Sequence, residues 1–327
     1  MKRMYLNKDI TTPNVLNVLI GMTSISAMIA LLYLMEVSNS ILIGLGVMFL
    51  FSFVANTTFS LLHEAVHSNF NSNKKLNYYG GVILAAFFPT GFTFQKICHL
   101  NHHRQNRTDY EMFEAYHEND SKPLKAFMLY SILTGLYWIC PPIGALWLMI
   151  HPNSLLNSGV KNNYEIGRMG GAGMLRNFDG LPKSEITKMR LEILVSLLIQ
   201  VSIILIFNIS LLTWILCYAA FALNWSTLQY VDHAYTPRDV RHGAWNLKVS
   251  KFTQYMFLNY HHHLAHHQHP HVPWLHLAKF VNFEEPRPTF WKIYARMWKG
   301  LEKTEVEAPK VDDPDLERLI SMEPFLS

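Results

Sequence analysis

The chain has 327 residues and a formal net charge of +4, with half of its residues hydrophobic and only 16% charged. That balance is too apolar for an ordinary soluble domain and points to a membrane; the modest charge leaves no nucleic-acid partner expected.

Four uncharged runs are candidates for spanning helices, because a bilayer core takes about 20 apolar residues in helix. They are Val15 to Met35, Ile41 to Leu62, Ile193 to Ile209 and Leu211 to Tyr230. The first is too long for the apolar region of a signal peptide, and no small-residue cleavage site follows it. Gly80 to Phe94, with Pro89 and two leading glycines, is too short to cross and is expected to be re-entrant or interfacial. Ala126 to Ile150 holds 25 uncharged residues, but Pro141 and Pro142 break its helix, so a bent in-plane or re-entrant hairpin is expected. Cys98, Cys140 and Cys217 form no CxxC pair and read as small buried apolar side chains. The stretch from His151 to Arg190 reads as a cytosolic loop with a turn at Asp179-Gly180. "FWKIYARMW", residues 290–298, reads as a basic, aromatic helix for the headgroup region or as an amphipathic helix packed on the protein. Residues 304–327 read as an acidic surface extension to a single domain of residues 1–303.

No Lys or Arg lies between Lys8 and Lys74, between Lys125 and Lys161, or between Arg190 and Arg238. The positive-inside rule therefore puts every basic segment, the histidine-rich segments and both termini on the cytoplasmic side. The expected fold is an all-α integral membrane protein: four transmembrane helices in two hairpins, re-entrant or interfacial helices, and a cytosolic histidine-rich helical cap.

Most of the 17 histidines fall in clusters. "HEAVH" holds His63 and His67, "HLNHH" holds His99, His102 and His103, and "HLAHH" holds His263, His266 and His267; a lone His233 follows the fourth run. Spacings of i, i+3 and i+4 place side chains on one helical face. Eight or nine imidazoles exceed what one four-coordinate zinc uses and suit two metal ions. Imidazole binds zinc, copper, nickel and iron alike, so the setting narrows the choice. Histidines at a membrane boundary, with one glutamate as the only hydrolytic group, fit an oxygen-activating iron pair acting on an apolar substrate.

Two other classes compete. "HEAVH" matches the HExxH of zinc proteases, and "NFDG" at residues 177–180 resembles the Asp-Gly element of intramembrane members, but this reading leaves six box histidines unexplained. A metal transporter would carry polar ligands inside its spans, where these four runs have no His, Asp, Glu, Lys or Arg.

In their order and topology, and with "HHQHPHVPW" around the third, these clusters resemble the three histidine boxes of the membrane fatty acid desaturase family, whose wider superfamily includes acyl hydroxylases, carotenoid ketolases and alkane hydroxylases. The likeness runs from about the second span to Trp274. It implies iron ligation by His63, His67, His99, His102, His103, His263, His266 and His267, with His233 as an isolated extra ligand. His262, through an HxxxHH spacing, is the alternative to His263, which is preferred because it repeats the second box. His269, His271 and His276 lie beyond the pattern. Ligating imidazoles commonly hand their other N–H to a carboxylate or carbonyl, which makes Glu64, Asp109 and Asp232 the candidates, with Asn106 beside them.

The resemblance implies two iron ions, O2 as co-substrate and a fatty acyl or other lipid substrate in which a double bond is made, with hydroxylation or ketolation as alternatives. The chain shows no haem-binding segment, no GxGxxG and no ferredoxin cysteines, so a separate donor of ferredoxin, rubredoxin or cytochrome b5 type, with its reductase, is expected. Lys74, Lys75, Arg104 and Arg107 are candidates to meet such an acidic carrier or anionic lipid. The compact chain without a fused carrier favours a bacterial inner membrane.

Overall fold

The computed structural model describes residues 10–152, 178 and 181–311. Its described residues are mainly helical, with one short parallel pairing of Ala115–Tyr116 with Glu302–Lys303 and two isolated bridges, Asn246 with His262 and Lys248 with Thr289. The first hairpin is α1 (Asn14–Val37) against α2 (Ile41–Val66). Pro13 precedes α1, and the Ser40 hydroxyl accepts from the Ile43 N–H to start α2. The outward faces of both helices are apolar, with Val15 73% and Ile41 84% exposed, the reverse of a soluble protein. Four helices among the described residues are long and apolar enough to cross a membrane: α1, α2, α7 (Lys183–Ile206) and α8 (Leu211–Val231).

Between the hairpins lie α3 (Lys74–Ala86), α4 (Phe92–Gln105), α5 (Lys122–Thr134) and α6 (Cys140–Ile150). The stretch expected as one short segment at Gly80 to Phe94 is divided: α3 ends before Pro89, and α4 begins at Phe92. After α8 come α9 (Lys251–Met256), α10 (His263–Gln268), α11 (Trp274–Leu277) and α12 (Phe290–Met297).

Three expectations need correction. The third spanning helix starts at Lys183, not Ile193, so residues 183–190, read as loop, are helical; the turn at Asp179-Gly180 lies outside the described residues. Charge near its start hid the helix, and one of its acids, Glu192, is buried for a purpose. The Glu192 carboxylate accepts from Tyr78 Oη at 2.8 Å, the Thr93 N–H at 2.6 Å and Thr93 Oγ1 at 2.8 Å, capping α4 from a neighbouring helix. Second, the bend in Ala126 to Ile150 lies at Gly135, not at the prolines. Gly135 has φ +85°, and a Cβ there would fall 2.6 Å from the backbone nitrogen of Leu223 on α8. Pro141 and Pro142 sit in the first turn of α6, where a missing N–H costs little; the two limbs meet at 93°. Third, of the cysteines only Cys217 is buried, while Cys140 is exposed.

The aromatic helix α12 buries Ile293 and Met297 and leaves Trp291 exposed, so it both packs on the protein and presents an aromatic outer face. Arg296 lies 3.7 Å above the Tyr235 ring.

A buried ion pair ties the loop after α4 to the end of α8. Arg107 Nη2 donates to Glu114 Oε1 at 2.7 Å, the Tyr230 hydroxyl donates to Glu114 Oε2, and the Tyr235 N–H reaches the same carboxylate. Burial pushes the Glu114 carboxyl up, but Arg107 overcomes it and holds the group at about 2 against a usual 4.5. Arg107→Met leaves this carboxylate buried and unpaired, and a loss of about 3–5 kcal/mol is expected, read as a lower Tm of the detergent-solubilised protein. In the unaltered protein the stabilisation from Glu114 is complete above its unfolded value of 4.5 and lost as pH falls towards about 2. A variant Tm equal to that of the parent at neutral pH would show that the pair carries no stability.

Candidate metal centre

The first box occupies the last turns of α2, which runs beyond the expected end of its span, so His63 and His67 lie one turn apart above the apolar segment. The second box is the C-terminal half of α4. The third is α10, only six residues long, preceded by Leu258 and Asn259 with φ of +47° and +60°. Leu258 disfavours that conformation, whereas Asn259 tolerates it and is fixed there by Gln254 Nε2, which donates to its side-chain oxygen at 3.0 Å, and by its own donation to the Trp274 carbonyl at 3.1 Å. His233 follows the end of α8.

These four segments bring nine imidazoles together in two groups. His63, His67, His99, His103 and His266 form one, and His102, His233, His263 and His267 form the other; within each group the ligand atoms lie within 4.8 Å of one another. Each HxxHH segment is therefore shared. In the second box the i, i+4 pair serves the first group and the middle histidine the second; in the third box the pair serves the second group and the middle one the first. Nε2 atoms approach at 2.9 Å between His67 and His99, 3.1 Å between His99 and His103, and 3.0 Å both between His103 and His266 and between His233 and His263.

Two nitrogens bound at right angles to one ion about 2.1 Å away would lie about 3.0 Å apart, so the spacing fits a shared metal. The buried Nε2 atoms of His63 and His267 have no hydrogen-bond partner, as a ligand lone pair requires. Burial, reinforced by neighbouring imidazoles, holds His99, His103, His263, His266 and His267 well below the usual histidine range, hence neutral. Two all-imidazole groups of this kind fit two ions of a borderline metal such as iron.

Around the groups, the outer nitrogens face acceptors. His233 Nδ1 donates to the Gly243 carbonyl at 2.8 Å, and Asn106 Nδ2 donates to that same carbonyl at 3.1 Å and to the Val240 carbonyl at 3.0 Å. Asp232, fully buried, stands 3.5 Å from His263 Nδ1. The carboxylate facing His102 Nδ1 is Glu111, at 3.4 Å, two residues beyond the expected Asp109. Asp109 is turned to Arg238 Nη2 at 2.6 Å and His117 Nε2 at 3.2 Å. Glu64 is 4.0 Å from His63 Nδ1, too far for a direct hydrogen bond, and accepts the Trp274 N–H instead. His262 lies outside both groups with its ring against His261, at a centroid distance of 3.9 Å. Sequence reasoning passed over Glu111 and Gly243; Glu111 stands two residues beyond Asp109, but no rule of spacing selects it over Asp109.

A cavity of about 120 Å³ reaches the groups through His99, His102 and His233. Its other walls include Phe59, Phe94, Phe113, Ile132, Tyr137 and Trp225.

A search of curated proteins finds no match to this sequence. A family model described as "Fatty acid desaturase" matches residues 39–297, from the start of the first hairpin's second helix to the end of α12. With most of its length matched, and with two clusters of metal-competent histidines at the ends of apolar helices, the chain belongs to the fatty acid desaturase family of membrane oxidoreductases.

Proposed function

We propose that this protein is a membrane-bound, O2-dependent di-iron desaturase that introduces a double bond into the acyl chain of a lipid. The observation that carries this reading is the shared wall: imidazoles of both groups, His99 from one and His102 and His233 from the other, line one aromatic cavity. The nine histidines would hold an iron pair, whose chemistry when bound would be O2 reduction and hydrogen abstraction from an unactivated C–H bond. Removing two hydrogen atoms from the chain yields two electrons, and an external donor supplies two more; the four, with four protons, take one O2 to two waters.

The protein's part is orientation and exclusion of water. Phe59, Phe94, Phe113 and Trp225 hold methylene groups by dispersion and keep the cavity dry, so a chain lying in it passes beside both groups. Glu111 and the Gly243 carbonyl keep protons on Nδ1 of His102 and His233, and the Asp232 carboxyl, 3.5 Å from His263 Nδ1, favours the same tautomer there, which leaves the Nε2 lone pairs for metal. The distribution of Lys and Arg supports a multi-pass topology with the boxes and both termini in the cytoplasm, and the compact chain without a fused carrier suits a bacterial inner membrane. Arg107, spent on Glu114, is withdrawn from the surface expected to meet an electron carrier; Lys74 and Lys75 are exposed and suit an acidic donor of ferredoxin, rubredoxin or cytochrome b5 type.

Expression in a bacterial host followed by mass spectrometry of its fatty acids tests the reading: new double bonds are expected, and none with His102→Ala or His266→Ala. Protein loaded with iron under anaerobic conditions is expected to carry two irons per chain. One zinc per chain, unaffected by either substitution, would overturn the proposal. Phe59→Ala widens the cavity and is expected to shift the ratio of long to short chains converted about tenfold or more, measured in mixed-substrate competition; an unchanged ratio would remove Phe59 from the substrate path.

A further inference from the structure

Glu64 makes the first box read as HExxH, yet its carboxylate is engaged elsewhere. One oxygen accepts the backbone N–H of Trp274 at 3.1 Å, from a segment 210 residues away. Trp274 has two further polar groups, and both are taken by other parts of the chain. Its indole N–H donates to Asn17 Oδ1 at 2.9 Å, and its carbonyl accepts from Asn259 Nδ2 at 3.1 Å. Asn17, on α1 and fully buried, donates in turn to the carbonyls of Asn69 at 3.2 Å and Phe70 at 2.9 Å. Asn69 closes the circle: its side chain donates to the Pro270 carbonyl at 3.2 Å, and its N–H to the Glu64 carbonyl at 2.7 Å.

Burying a carboxylate and a carboxamide in an apolar helical layer is costly unless each is hydrogen-bonded. Here the bonds run between α1, the end of α2 with its following turn, and the segment after α10. The end of α2 carries the first box and the segment after α10 continues directly from the third, and His63, His67 and His266 all belong to the five-histidine group. The four-histidine group faces different residues: Glu111 and the Gly243 carbonyl bond His102 and His233, and Asp232 stands 3.5 Å from His263 Nδ1.

We propose that Glu64 and Asn17 are positioning residues that clasp Trp274, holding the third box against the first so that His266 completes the five-histidine group. This rests on the two-metal reading above. Glu64 acts as a hydrogen-bond acceptor and takes no part as a base. The clasp serves one metal of the two.

The test is metal content of the full chain, purified in detergent and loaded anaerobically with iron or, in parallel, cobalt. Folding of each variant is checked by circular dichroism and size-exclusion chromatography. Glu64→Gln keeps an acceptor for the Trp274 N–H and is expected to retain two metals per chain. Glu64→Leu and Asn17→Leu are expected to keep one metal firmly and bind the second about 10–100-fold more weakly. Trp274→Phe, a milder change that keeps the backbone bond and loses only the indole N–H, is expected to give the same asymmetry to a smaller degree, and it stands in should the leucine variants fail to fold. Equal loss in Glu64→Gln and Glu64→Leu would overturn the acceptor role. Two firmly held metals in Asn17→Leu and Trp274→Phe, or equal weakening of both, would overturn the clasp. A parent protein that loads two cobalt ions but no iron would count against the di-iron desaturase and leave the clasp readable from cobalt alone.

Discussion

Nine imidazoles packed into two groups cannot satisfy one another. A neutral imidazole has one N–H and one lone pair. Where the outer nitrogen of a ring keeps its proton, as His233 does towards the Gly243 carbonyl, the inner nitrogen can only offer a lone pair to its neighbours, which offer lone pairs back. Two such lone pairs 3.0 Å apart, as at His233 and His263, are placed to share a cation. The surrounding structure, from the capped α4 to the turn before α10, fixes the rings in that arrangement.

The means of holding them is helix geometry used twice with opposite assignment. On α4 the i, i+4 pair faces one group and the intervening histidine the other, and on α10 the roles are exchanged. Each box thereby bridges the two groups, and neither helix can rotate to improve one without spoiling the other. This accounts for the cost accepted at Leu258, which with Asn259 takes the left-handed conformation that sets the direction of a six-residue helix too short to orient itself.

Eight of the nine group members were legible in the sequence because their spacing is local, three and four residues making neighbours on any helix; the lone His233 came only from the resemblance. The division of the nine into five and four was not legible, since it depends on how α2, α4 and α10 face one another. The four spanning helices were legible from their apolar runs, but the true start of α7 was hidden by Lys188 and Arg190, which lie on it without ending it. The bend before α6 was assigned to its two prolines, although prolines are tolerated in a first turn and the bend belongs to Gly135, pressed against α8. Long-range partners were the least legible. Nothing near Glu64 announces Trp274, and nothing near His102 distinguishes Glu111 from Asp109, which is spent on Arg238.

The division of the histidines also sets an order in time. Four of the five in one group lie within the first 103 residues, whereas the other draws only His102 from that part of the chain. As the polypeptide emerges from the ribosome, the first group is nearly whole before the second hairpin exists, and the second group stays open until residue 267 has been made. Both groups nonetheless wait for the third box, and adjacent residues, His266 and His267, complete them together.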